Sequence, residues 1–310
     1  MLGLAVGDAL GAPFEFEPAG SPRLERWDGW FAEGGPWKLR PGQWTDDTKM
    51  AVALAEALIE DSGMYDAERV ARHYLAWYAS GDLRGIGDTV AGAMARLAAG
   101  VSPEESGLEG PHRAGNGSAM RVAPIGLVTG DQDRLRSDPA EDAYITHHDE
   151  RAVAGSRAVA AGVAMLARGV AADGEWGEAV ARSASEPTTA EHIRRACELA
   201  MEGAQPPFAL LTLGTGGYVV ESVASAVYLT MRFAPDDDFH GAVQAAVRAG
   251  DDTDTTAAIT GALVGAACGL RAIPSALADG VEDGERLVAL GQRLADIADG
   301  YLLGPEFGAV

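Results

Sequence analysis

Apolar residues recur at the spacing of an α-helix along almost all of this 310-residue chain, and no segment shows a sustained strand alternation. Short polar and glycine-containing stretches separate the periodic segments, and no low-complexity linker divides them. We therefore predict an all-α fold, a compact single-domain orthogonal helical bundle over residues 1–310. The predicted helices cover residues 2–10, 49–60, 67–78, 88–98, 118–127, 138–146, 149–168, 175–183, 190–203, 219–232, 238–249, 255–270, 274–278 and 282–298.

The charge of the chain limits its partners. Its formal net charge is −22, whereas nucleic acids and anionic membranes attract basic surfaces. The apolar run at 257–270 is shorter than the roughly 20 residues that span a bilayer. Cys197 and Cys268 are too few for a disulfide framework, and no signal segment opens the chain. We expect a cytoplasmic protein with no general nucleic-acid binding and no membrane association.

Two clusters of aspartate and threonine, at residues 45–48 and 251–255, each precede an apolar run that reads as a helix. Their side chains are all oxygen ligands, which suit Mg²⁺, Mn²⁺ or Ca²⁺ better than zinc. Several carboxylates brought together need a cation or a shared proton between them. The second cluster is not an EF-hand, because Ala257 and Leu263 stand where that loop needs glycine and glutamate.

Helix capping is the alternative explanation of each cluster taken alone. Aspartate and threonine are favourable N-caps, and acidic side chains favour the first turn of a helix. Five carboxylates in two matching clusters nevertheless favour a metal site over two unrelated caps. On that hypothesis the fold must bring the two clusters to one place.

A long irregular segment, residues 12–44, is rich in proline, glycine and tryptophan. A loop of this length inside a compact domain is usually a lid or a binding loop, although a packed Ω-loop over an apolar patch is an equal alternative. Glu15 and Glu17 lie near its start. A carboxylate there could act as a general acid or base if burial and neighbouring charge move its pKa, and a plain surface position is the alternative.

Three turns that precede helices complete the set of candidate segments. Residues 115–121 read Gly-Asn-Gly-Ser-Ala-Met-Arg, and free N–H groups at such a helix start favour an anion such as phosphate. At 146–149, His147 and His148 cannot both face one site, and one of them could contact a phosphate or ribose. Residues 214–218 end in Tyr218, which could stack on a base or ribose. A plain turn or a helix cap explains each segment equally well.

Taken together, these segments resemble the ADP-ribosylglycohydrolase family over nearly the whole chain and in the same order. The family includes the dinitrogenase reductase-activating glycohydrolase and the eukaryotic ADP-ribosyl-acceptor hydrolases. The two Asp/Thr motifs together are the specific part of the resemblance. The matching segments are residues 7–11 with Glu15, 44–48, 115–121, 146–147 and 250–255.

The resemblance implies a dinuclear centre of two divalent cations, Mg²⁺ or Mn²⁺, between helix N-termini. Asp251 is left out of the ligands, because many members have a glycine there, and Glu15 matches the glutamate proposed to take part in catalysis. The implied metal ligands are Thr45, Asp46, Asp47, Asp252, Asp254 and Thr255. The implied substrate-binding residues are Gly115, Asn116, Gly117, Ser118, Met120, His147, Gly216 and Tyr218.

The implied activity is hydrolysis of the ribose C1 glycosidic bond of an ADP-ribosylated acceptor, through an oxocarbenium-like state. Arginine on protein is the expected acceptor, so the expected partner is an ADP-ribosylated protein or a small-molecule ADP-ribose conjugate. ADP-ribosyl-serine, O-acetyl-ADP-ribose and a catalytically silent ADP-ribose-binding relative are the alternatives. A polyprenyl-diphosphate enzyme is a further class that binds Mg²⁺ through aspartates, but neither cluster has its usual Asp-Asp-x-x-Asp pattern.

One element departs from the family pattern. Many members carry Asp-Ile-Gly after the third helix, where this chain reads Gly85-Ile86-Gly87-Asp88. The aspartate is therefore missing from its usual position, and Asp82 or Asp88 could replace it on the acceptor side of the site.

Overall fold

The computed structural model describes the backbone of residues 1–302 and the side chains of residues 1–298. Within that range all regular structure is helical, and strand pairing is limited to isolated bridges. Three short 3-10 helices, Ala12–Phe14, Ala234–Asp236 and Leu270–Ala272, join the α-helices. The α-helices are α1 Leu2–Gly11, α2 Pro22–Arg26, α3 Asp46–Glu60, α4 Ala67–Ala79, α5 Asp88–Ala98, α6 Pro103–Ser106, α7 Ala123–Val128, α8 Gln132–Tyr144, α9 Glu150–Ala167, α10 Gly174–Ala184, α11 Pro187–Met201, α12 Pro206–Leu213, α13 Val219–Phe233, α14 Phe239–Arg248, α15 Thr253–Cys268, α16 Ser275–Gly280 and α17 Gly284–Leu302.

Helices α1 and α15 pack antiparallel at the centre of the bundle, and every residue of α1 is buried. Gly3, Gly7 and Gly11 form a stripe along α1. A β-carbon at any of the three would overlap a backbone carbonyl oxygen of α15. The two backbones therefore lie closer than larger side chains would permit. This contact places the end of α1 against Thr253, in the first turn of α15.

Two apolar clusters hold the remaining helices around this pair. One cluster joins α3, α7, α9 and α10 through buried side chains such as Leu54 and Val159. The other joins α1, α13, α14 and α15 through side chains such as Leu10 and Phe239. Removing such apolar surface from water is the dominant stabilising contribution in a fold of this kind. None of the helices in the described range combines the length and the apolar character that a membrane crossing requires.

The all-α single-domain fold is confirmed for the described residues, and residues 303–310 of the predicted domain lie outside them. Several predicted helix bounds are wrong. The predicted helix at 118–127 begins only at Ala123, because residues 118–121 form turns. The predicted helix at 138–146 begins earlier, at Gln132, and contains Pro139. The predicted helix at 255–270 ends at Cys268, because Gly269 adopts a left-handed φ of +74°.

Helix α12 is missing from the predicted set. It opens with Pro206 and Pro207, and a helix accepts proline in its first turn because those N–H groups have no partner within the helix. Only eight residues long, it also offers little periodicity from which a helix could be recognised.

The irregular segment at 12–44 is largely packed against the bundle. Its buried Trp27 and Trp44 donate indole hydrogen bonds to the backbone oxygens of Trp30, at 2.6 Å, and Glu282, at 2.8 Å. Arg248 of α14 holds the segment from the other side through two backbone carbonyls. These contacts favour the packed-loop alternative, although the same segment also contributes a hydrogen bond to the cavity described next.

Candidate active site and metal centre

The N-termini of α3 and α15 meet beside the end of α1, so the two Asp/Thr clusters converge although they lie at opposite ends of the sequence. They share the walls of a cavity of about 200 Å³. Its acidic and hydroxyl lining comprises Glu15, Asp46, Asp47, Asp88, Asp252, Asp254, Thr89 and Thr255. The structure therefore brings together Glu15, the implied catalytic residue, and five of the six implied metal ligands. Thr45, the sixth, is buried behind them.

Capping does not explain the two clusters. Thr45 and Asp252 occupy the N-cap positions of α3 and α15, yet neither side chain caps its own helix. The Thr45 hydroxyl donates to Asp8 Oδ1 at 2.9 Å. The Asp252 carboxylate accepts a hydrogen bond from Asn116 Nδ2 at 2.8 Å. Side chains that commonly cap a helix start are thus directed elsewhere, as a binding site requires.

Asp8 of α1 takes over the capping of α3 from a distant part of the chain. Its buried carboxylate accepts hydrogen bonds from the N–H groups of Thr45 and Thr48, at 3.0 and 3.1 Å. It also accepts from both threonine hydroxyls, at 2.9 and 2.6 Å. Sequence reasoning missed this role. The signal was a single charged residue within an otherwise apolar helix, which has to find partners when it is buried.

Asp8, Asp47 and Asp254 each bring one carboxylate oxygen within 4.8 Å of the others, as ligands of one ion would. Asp8 is the weakest candidate of the three, because its oxygens already accept four hydrogen bonds. Asp47 is the strongest, because its buried Oδ1 has no hydrogen-bond partner among the described residues. A buried carboxylate oxygen without a donor is costly unless a cation neutralises it.

The electrostatics of the cluster also call for a cation. Burial, followed by the charges of neighbouring carboxylates, raises the pKa values of Asp46, Asp47 and Asp254 well above the ordinary aspartate range. The nearby Lys49 does not compensate them, because its ammonium group is paired with Asp82 at 2.7 Å. Carboxylates and threonine hydroxyls are hard oxygen donors, so this set fits Mg²⁺ or Mn²⁺.

Glu15 faces the two clusters from the loop that follows α1. The indole N–H of Trp37 donates a hydrogen bond to its Oε2. Burial, and then the charges of Asp252 and Asp8, raise the pKa of Glu15 to about 7. A carboxyl group with such a pKa can either donate or accept a proton near neutral pH. Glu17, by contrast, lies outside the cavity and pairs with Arg23 at 3.5 Å.

Two backbone hydrogen bonds tie the Glu15 loop to the second cluster. The N–H of Phe16 donates to the Asp251 carbonyl, and the N–H of Asp251 donates to the Glu17 carbonyl, both at 2.8 Å. In this pairing, Phe16 and Asp251 adopt left-handed φ values of +68° and +61°, which are unfavourable for residues other than glycine. The Asp251 side chain is exposed and does not line the cavity, in agreement with its exclusion from the ligand set.

The glycine-rich turn at 115–117 forms the opposite wall of the cavity. The Asn116 N–H donates to the Gly217 carbonyl at 3.2 Å, which joins this turn to the one before α13. A β-carbon on Gly117 would lie 3.0 Å from the ring of His147, so this position has no room for a larger residue without a shift. Met120 and His147 complete this wall. The turn leaves space for a ligand to approach its backbone.

A second cavity, of about 540 Å³, continues from the first and shares Gly115 and Gly217 with it. Tyr218 lines this second cavity, and the guanidinium of Arg151 lies 5.6 Å from the centre of its ring. Asp149 holds Arg151 in place through a bidentate pair at 2.7 and 2.9 Å. The cleft therefore has an acidic end at the aspartates and an aromatic, cationic end at Tyr218.

Two of the implied substrate-binding residues lie outside both cavities. Ser118 is fully buried and its hydroxyl is hydrogen-bonded to Ser156 of α9, at 2.9 Å. Gly216 uses its N–H to bind the carboxylate of Glu221, at 3.2 Å. Both positions support the turns that form the walls. Nothing in their own contacts directs them toward a ligand.

The side chains of His147 and His148 face different surroundings, as the sequence predicts. His147 is buried and lines the first cavity. Burial, followed by the charge of Arg121, lowers its pKa to about 3, so the ring is neutral. His148 points away and packs against the ring of Tyr144, with ring centres 5.1 Å apart.

The absence of the family's Asp-Ile-Gly aspartate at position 85 has a steric explanation in the structure. Gly85 has a φ of +88°, and a β-carbon there would overlap the carboxylate of Asp46, so an aspartate side chain does not fit in this conformation. Asp82 is held by Lys49 and by Arg84, at 2.7 and 2.9 Å. Asp88 is exposed and lines the cavity, so it is the carboxylate that remains available on that side.

Known proteins resemble the chain along its whole length. The family model described as ADP-ribosylglycohydrolase matches residues 1–302. The ADP-ribosylarginine hydrolase Tri1 of Pseudomonas putida is 28% identical, over 96% of this chain and 77% of its own length. The ADP-ribosyl-[dinitrogen reductase] glycohydrolase of Rhodospirillum rubrum is 30% identical, over 88% of this chain and 86% of its own length.

A solved structure agrees with these matches. A chain of an ADP-ribosylglycohydrolase-related protein complex superposes with a TM-score of 0.76 and 32% identity, and the match covers 96% of this chain and 95% of that one. The polyprenyl-diphosphate alternative is therefore set aside. This chain belongs to the ADP-ribosylglycohydrolase family, whose members hydrolyse glycosidic bonds of ADP-ribose.

Proposed function

We propose that the protein is a metal-dependent hydrolase that cleaves the ribose C1 bond of ADP-ribosylated arginine on protein and releases ADP-ribose. The observation that carries this proposal is the convergence of Glu15 with four aspartates of two distant motifs in one cavity. The relative from Pseudomonas putida is an ADP-ribosylarginine hydrolase, which supports the arginine linkage. The relative from Rhodospirillum rubrum is a glycohydrolase of ADP-ribosyl-[dinitrogen reductase], which supports a protein substrate. A cytoplasmic location stays a prediction.

The ligand set for two divalent cations, Mg²⁺ or Mn²⁺, is proposed to be the six residues of the family motifs. Thr45 and Thr255 donate their hydroxyl protons to carboxylates, at 2.9 Å to Asp8 and 3.5 Å to Asp47, so oxygen lone pairs remain for a cation. The full set is Thr45, Asp46, Asp47, Asp252, Asp254 and Thr255. Bound divalent cations supply Lewis-acid stabilisation of ribose oxygens and orientation of a water molecule.

Glu15 is proposed to move the proton. Its pKa of about 7 leaves both protonation states populated near neutral pH. In the protonated state it can donate to the departing nitrogen as the C1–N bond breaks, and in the ionised state it can accept a proton from the attacking water. The Trp37 indole N–H holds the carboxylate toward the cavity in either case.

The two ends of the cleft support one orientation of ADP-ribose. The acidic end, with its cations bound, suits the ribose that is attached to the acceptor. The glycines at 115 and 117 leave room for the diphosphate to approach the backbone, where N–H groups stabilise anions. Tyr218, backed by Arg151, offers a flat surface on which the adenine ring can stack.

The arginine linkage is supported by charge at the acceptor side. A guanidinium leaving group prefers carboxylate partners, which it can bind through two parallel hydrogen bonds. Asp88 stands exposed at this edge of the cavity. ADP-ribosyl-serine and O-acetyl-ADP-ribose carry no such cation, so a carboxylate there gives them no comparable advantage.

The test is to incubate the protein with Mg²⁺ or Mn²⁺ and with peptides ADP-ribosylated on arginine or on serine, or with O-acetyl-ADP-ribose, and to measure free ADP-ribose. We expect release from the arginine peptide. Glu15→Gln should lower kcat by roughly 10²-fold or more, whereas Glu17→Gln, outside the cavity, should leave it unchanged. Release from serine or O-acetyl-ADP-ribose alone would refute the linkage, and release from none would leave an ADP-ribose-binding relative without catalysis.

A further inference from the structure

A buried arginine lies behind His147 and is not used by the proposed chemistry. Arg121 is 0% exposed. Its Nε and Nη2 donate to the side chain and the backbone carbonyl of Asp142, at 2.9 and 2.6 Å. Tyr74 donates to the same carboxylate at 2.7 Å. The guanidinium is therefore fixed in one orientation, with Nη1 directed at Thr146 and the turn at Gly117.

The Thr146 hydroxyl connects Arg121 to His147. It accepts a hydrogen bond from Arg121 Nη1 at 2.9 Å, and it must accept, because a guanidinium has only donors. The same hydroxyl oxygen lies 2.8 Å from His147 Nδ1. Among the described residues, its single proton has one other possible acceptor, the Ala143 carbonyl at 3.5 Å.

The Ala143 carbonyl is a poor destination for that proton. It already accepts from the backbone N–H groups of Thr146, at 3.0 Å, and His147, at 2.7 Å, and a carbonyl oxygen has two lone pairs. The hydroxyl proton therefore goes to His147 Nδ1. A ring nitrogen that accepts a hydrogen bond carries no proton of its own, so the proton of the neutral ring sits on Nε2.

His147 Nε2 is the nitrogen that faces the ligand space. A β-carbon added to Gly115 would meet this atom at 3.3 Å, and the ring forms part of the wall of the cavity beside Gly117. The pKa of the ring is lowered by burial and by the Arg121 charge, so the ring does not gain a second proton at neutral pH. His147 thus offers the cavity one N–H group and no acceptor.

We propose that Arg121 and Thr146 are positioning residues that hold His147 as its Nε2–H tautomer, so that it donates a hydrogen bond to a diphosphate oxygen of the ligand beside the glycine-rich turn. The inference rests on the proposed function only for the identity of the ligand. The relay itself lies entirely within the protein. Asp142 orients Arg121, Arg121 donates to one lone pair of the Thr146 hydroxyl, and the proton of that hydroxyl fixes the tautomer of His147.

The first test is nitrogen-15 NMR of the imidazole rings in the full-length protein without ligand, with the His147 signals identified by their loss in His147→Gln. The chain has six histidines, so this assignment is practical. We expect an unprotonated Nδ1 and a protonated Nε2 across pH 6 to 8. A protonated Nδ1, or averaged signals from both tautomers, would overturn the proposal. This measurement involves no catalysis, so it stands apart from any failure of the hydrolase proposal.

The second test compares Thr146→Ser, which keeps the hydroxyl, with Thr146→Val, which keeps the shape and loses it. In Thr146→Val the Nδ1 signal should move to that of a nitrogen without a hydrogen bond, and ADP-ribose should bind about tenfold more weakly by calorimetry, while Thr146→Ser keeps both properties. Unchanged His147 signals and affinity in a folded Thr146→Val protein would show that the hydroxyl has no positioning role. If that variant does not fold, the wild-type NMR measurement alone decides.

Discussion

Asp8 and Asp47 are close neighbours in one acidic cluster, but their surroundings give them different tasks. Asp8 accepts hydrogen bonds from four donors and stabilises the start of α3. Asp47 has one buried oxygen without any such partner in the described part of the chain, and burial and neighbouring charges raise its pKa well above the usual range. The protein satisfies the first carboxylate, and the second is the one that we propose binds a cation.

Replacing Asp47 with asparagine should therefore have opposite effects without and with metal. A carboxyl group whose folded pKa is raised stabilises the protein below its unfolded pKa of about 3.9, and this stability is lost as pH rises through the folded pKa. In chelator at pH 8, Asp47→Asn should melt roughly 2–4 °C above wild type, about 1 kcal/mol for a chain of this size. The difference should shrink as the pH falls toward 4.

Saturating Mg²⁺ or Mn²⁺ should reverse that order, because wild type gains binding free energy that the variant lacks. Asp251→Asn is the matched control, since its exposed side chain stands outside the cavity, and it should follow wild type in both conditions. Differential scanning fluorimetry over pH, with isothermal titration calorimetry for the metal, measures both effects. An Asp47→Asn protein that binds metal as wild type does would contradict the assignment of Asp47 as a ligand.

Loss of Asp8 should destabilise the fold more than loss of an ordinary cap. Asp8→Ala removes the shared acceptor of four buried donors of Thr45 and Thr48, and the Thr45 hydroxyl keeps a longer contact to Asp47 Oδ2 at 3.3 Å, so we expect a cost of at least about 3 kcal/mol in urea unfolding with Mg²⁺ present. Asp66 caps α4 at an exposed site through a single N–H, and Asp66→Ala should cost only about 1 kcal/mol. Equal costs would contradict the role given to Asp8.

The difference between these carboxylates also shows what the sequence can reveal about single residues. The Asp/Thr clusters are recognisable because their members are adjacent in the chain and all of one chemical type. The task of Asp8 is not recognisable, because its partners Thr45 and Thr48 lie at the start of another helix, far along the sequence. The same holds for the relay from Arg121 to His147, whose geometry depends on how the turn before α7 meets the end of α8 and the turn after it.

At the scale of the helices, the contact between α1 and α15 decides where the two acidic clusters meet. Glycines recur at every fourth position along α1, at Gly3, Gly7 and Gly11, and from α15 into the residue after it, at Gly261, Gly265 and Gly269. This pattern permits close packing and is visible in the sequence. The sequence does not show which glycines touch. Gly261 faces the Gly3 carbonyl directly, Gly265 stands farther away, and Gly269 lies beyond the helix end.

Two glycine-to-alanine substitutions on α15 distinguish a steric clash at the helix contact from the general effect of removing a glycine. Gly261→Ala would drive its β-carbon into the Gly3 carbonyl oxygen, so we expect a loss of roughly 1–3 kcal/mol in unfolding free energy. Gly265→Ala would meet its nearest atom at 3.5 Å, an ordinary contact, and should be neutral or stabilising by up to about 1 kcal/mol. Chemical denaturation of both variants measures the difference, and equal effects would refute the steric explanation.

The elements themselves were predictable where periodicity is long. Helices such as α3 and α9 match their predicted ranges to within three residues, because each has many turns of consistent apolar spacing. Short helices are not predicted in this way, because they have too few turns to show an apolar periodicity. Helix α2, with five residues, lies inside the segment predicted as irregular, and α12 begins with two prolines. Their positions depend on tertiary contacts, which local sequence does not encode.

At the scale of the whole molecule, the cleft joins an acidic end to an aromatic and cationic end, so a ligand that reaches both should bind best. With Mg²⁺ or Mn²⁺ present, ADP-ribose should raise the melting temperature by mass action, with a dissociation constant in the low micromolar range or weaker, about −8 kcal/mol. AMP should stabilise less, because it lacks the distal ribose that would reach the aspartates. Thermal shifts at matched concentrations test this, and equal shifts would contradict the proposed orientation.

The pairing of α1 with α15 also has a consequence for how the protein is made. During synthesis the carboxylates of α3 and the glycine stripe of α1 leave the ribosome first, and Thr253 follows only after most of the chain has been translated. Until then the early aspartates have neither the partner helix nor the remaining ligands that define the cavity. A product stopped before α15 would carry half of the proposed ligands, and the cavity would not form. Activity would then appear only once translation has passed the last motif.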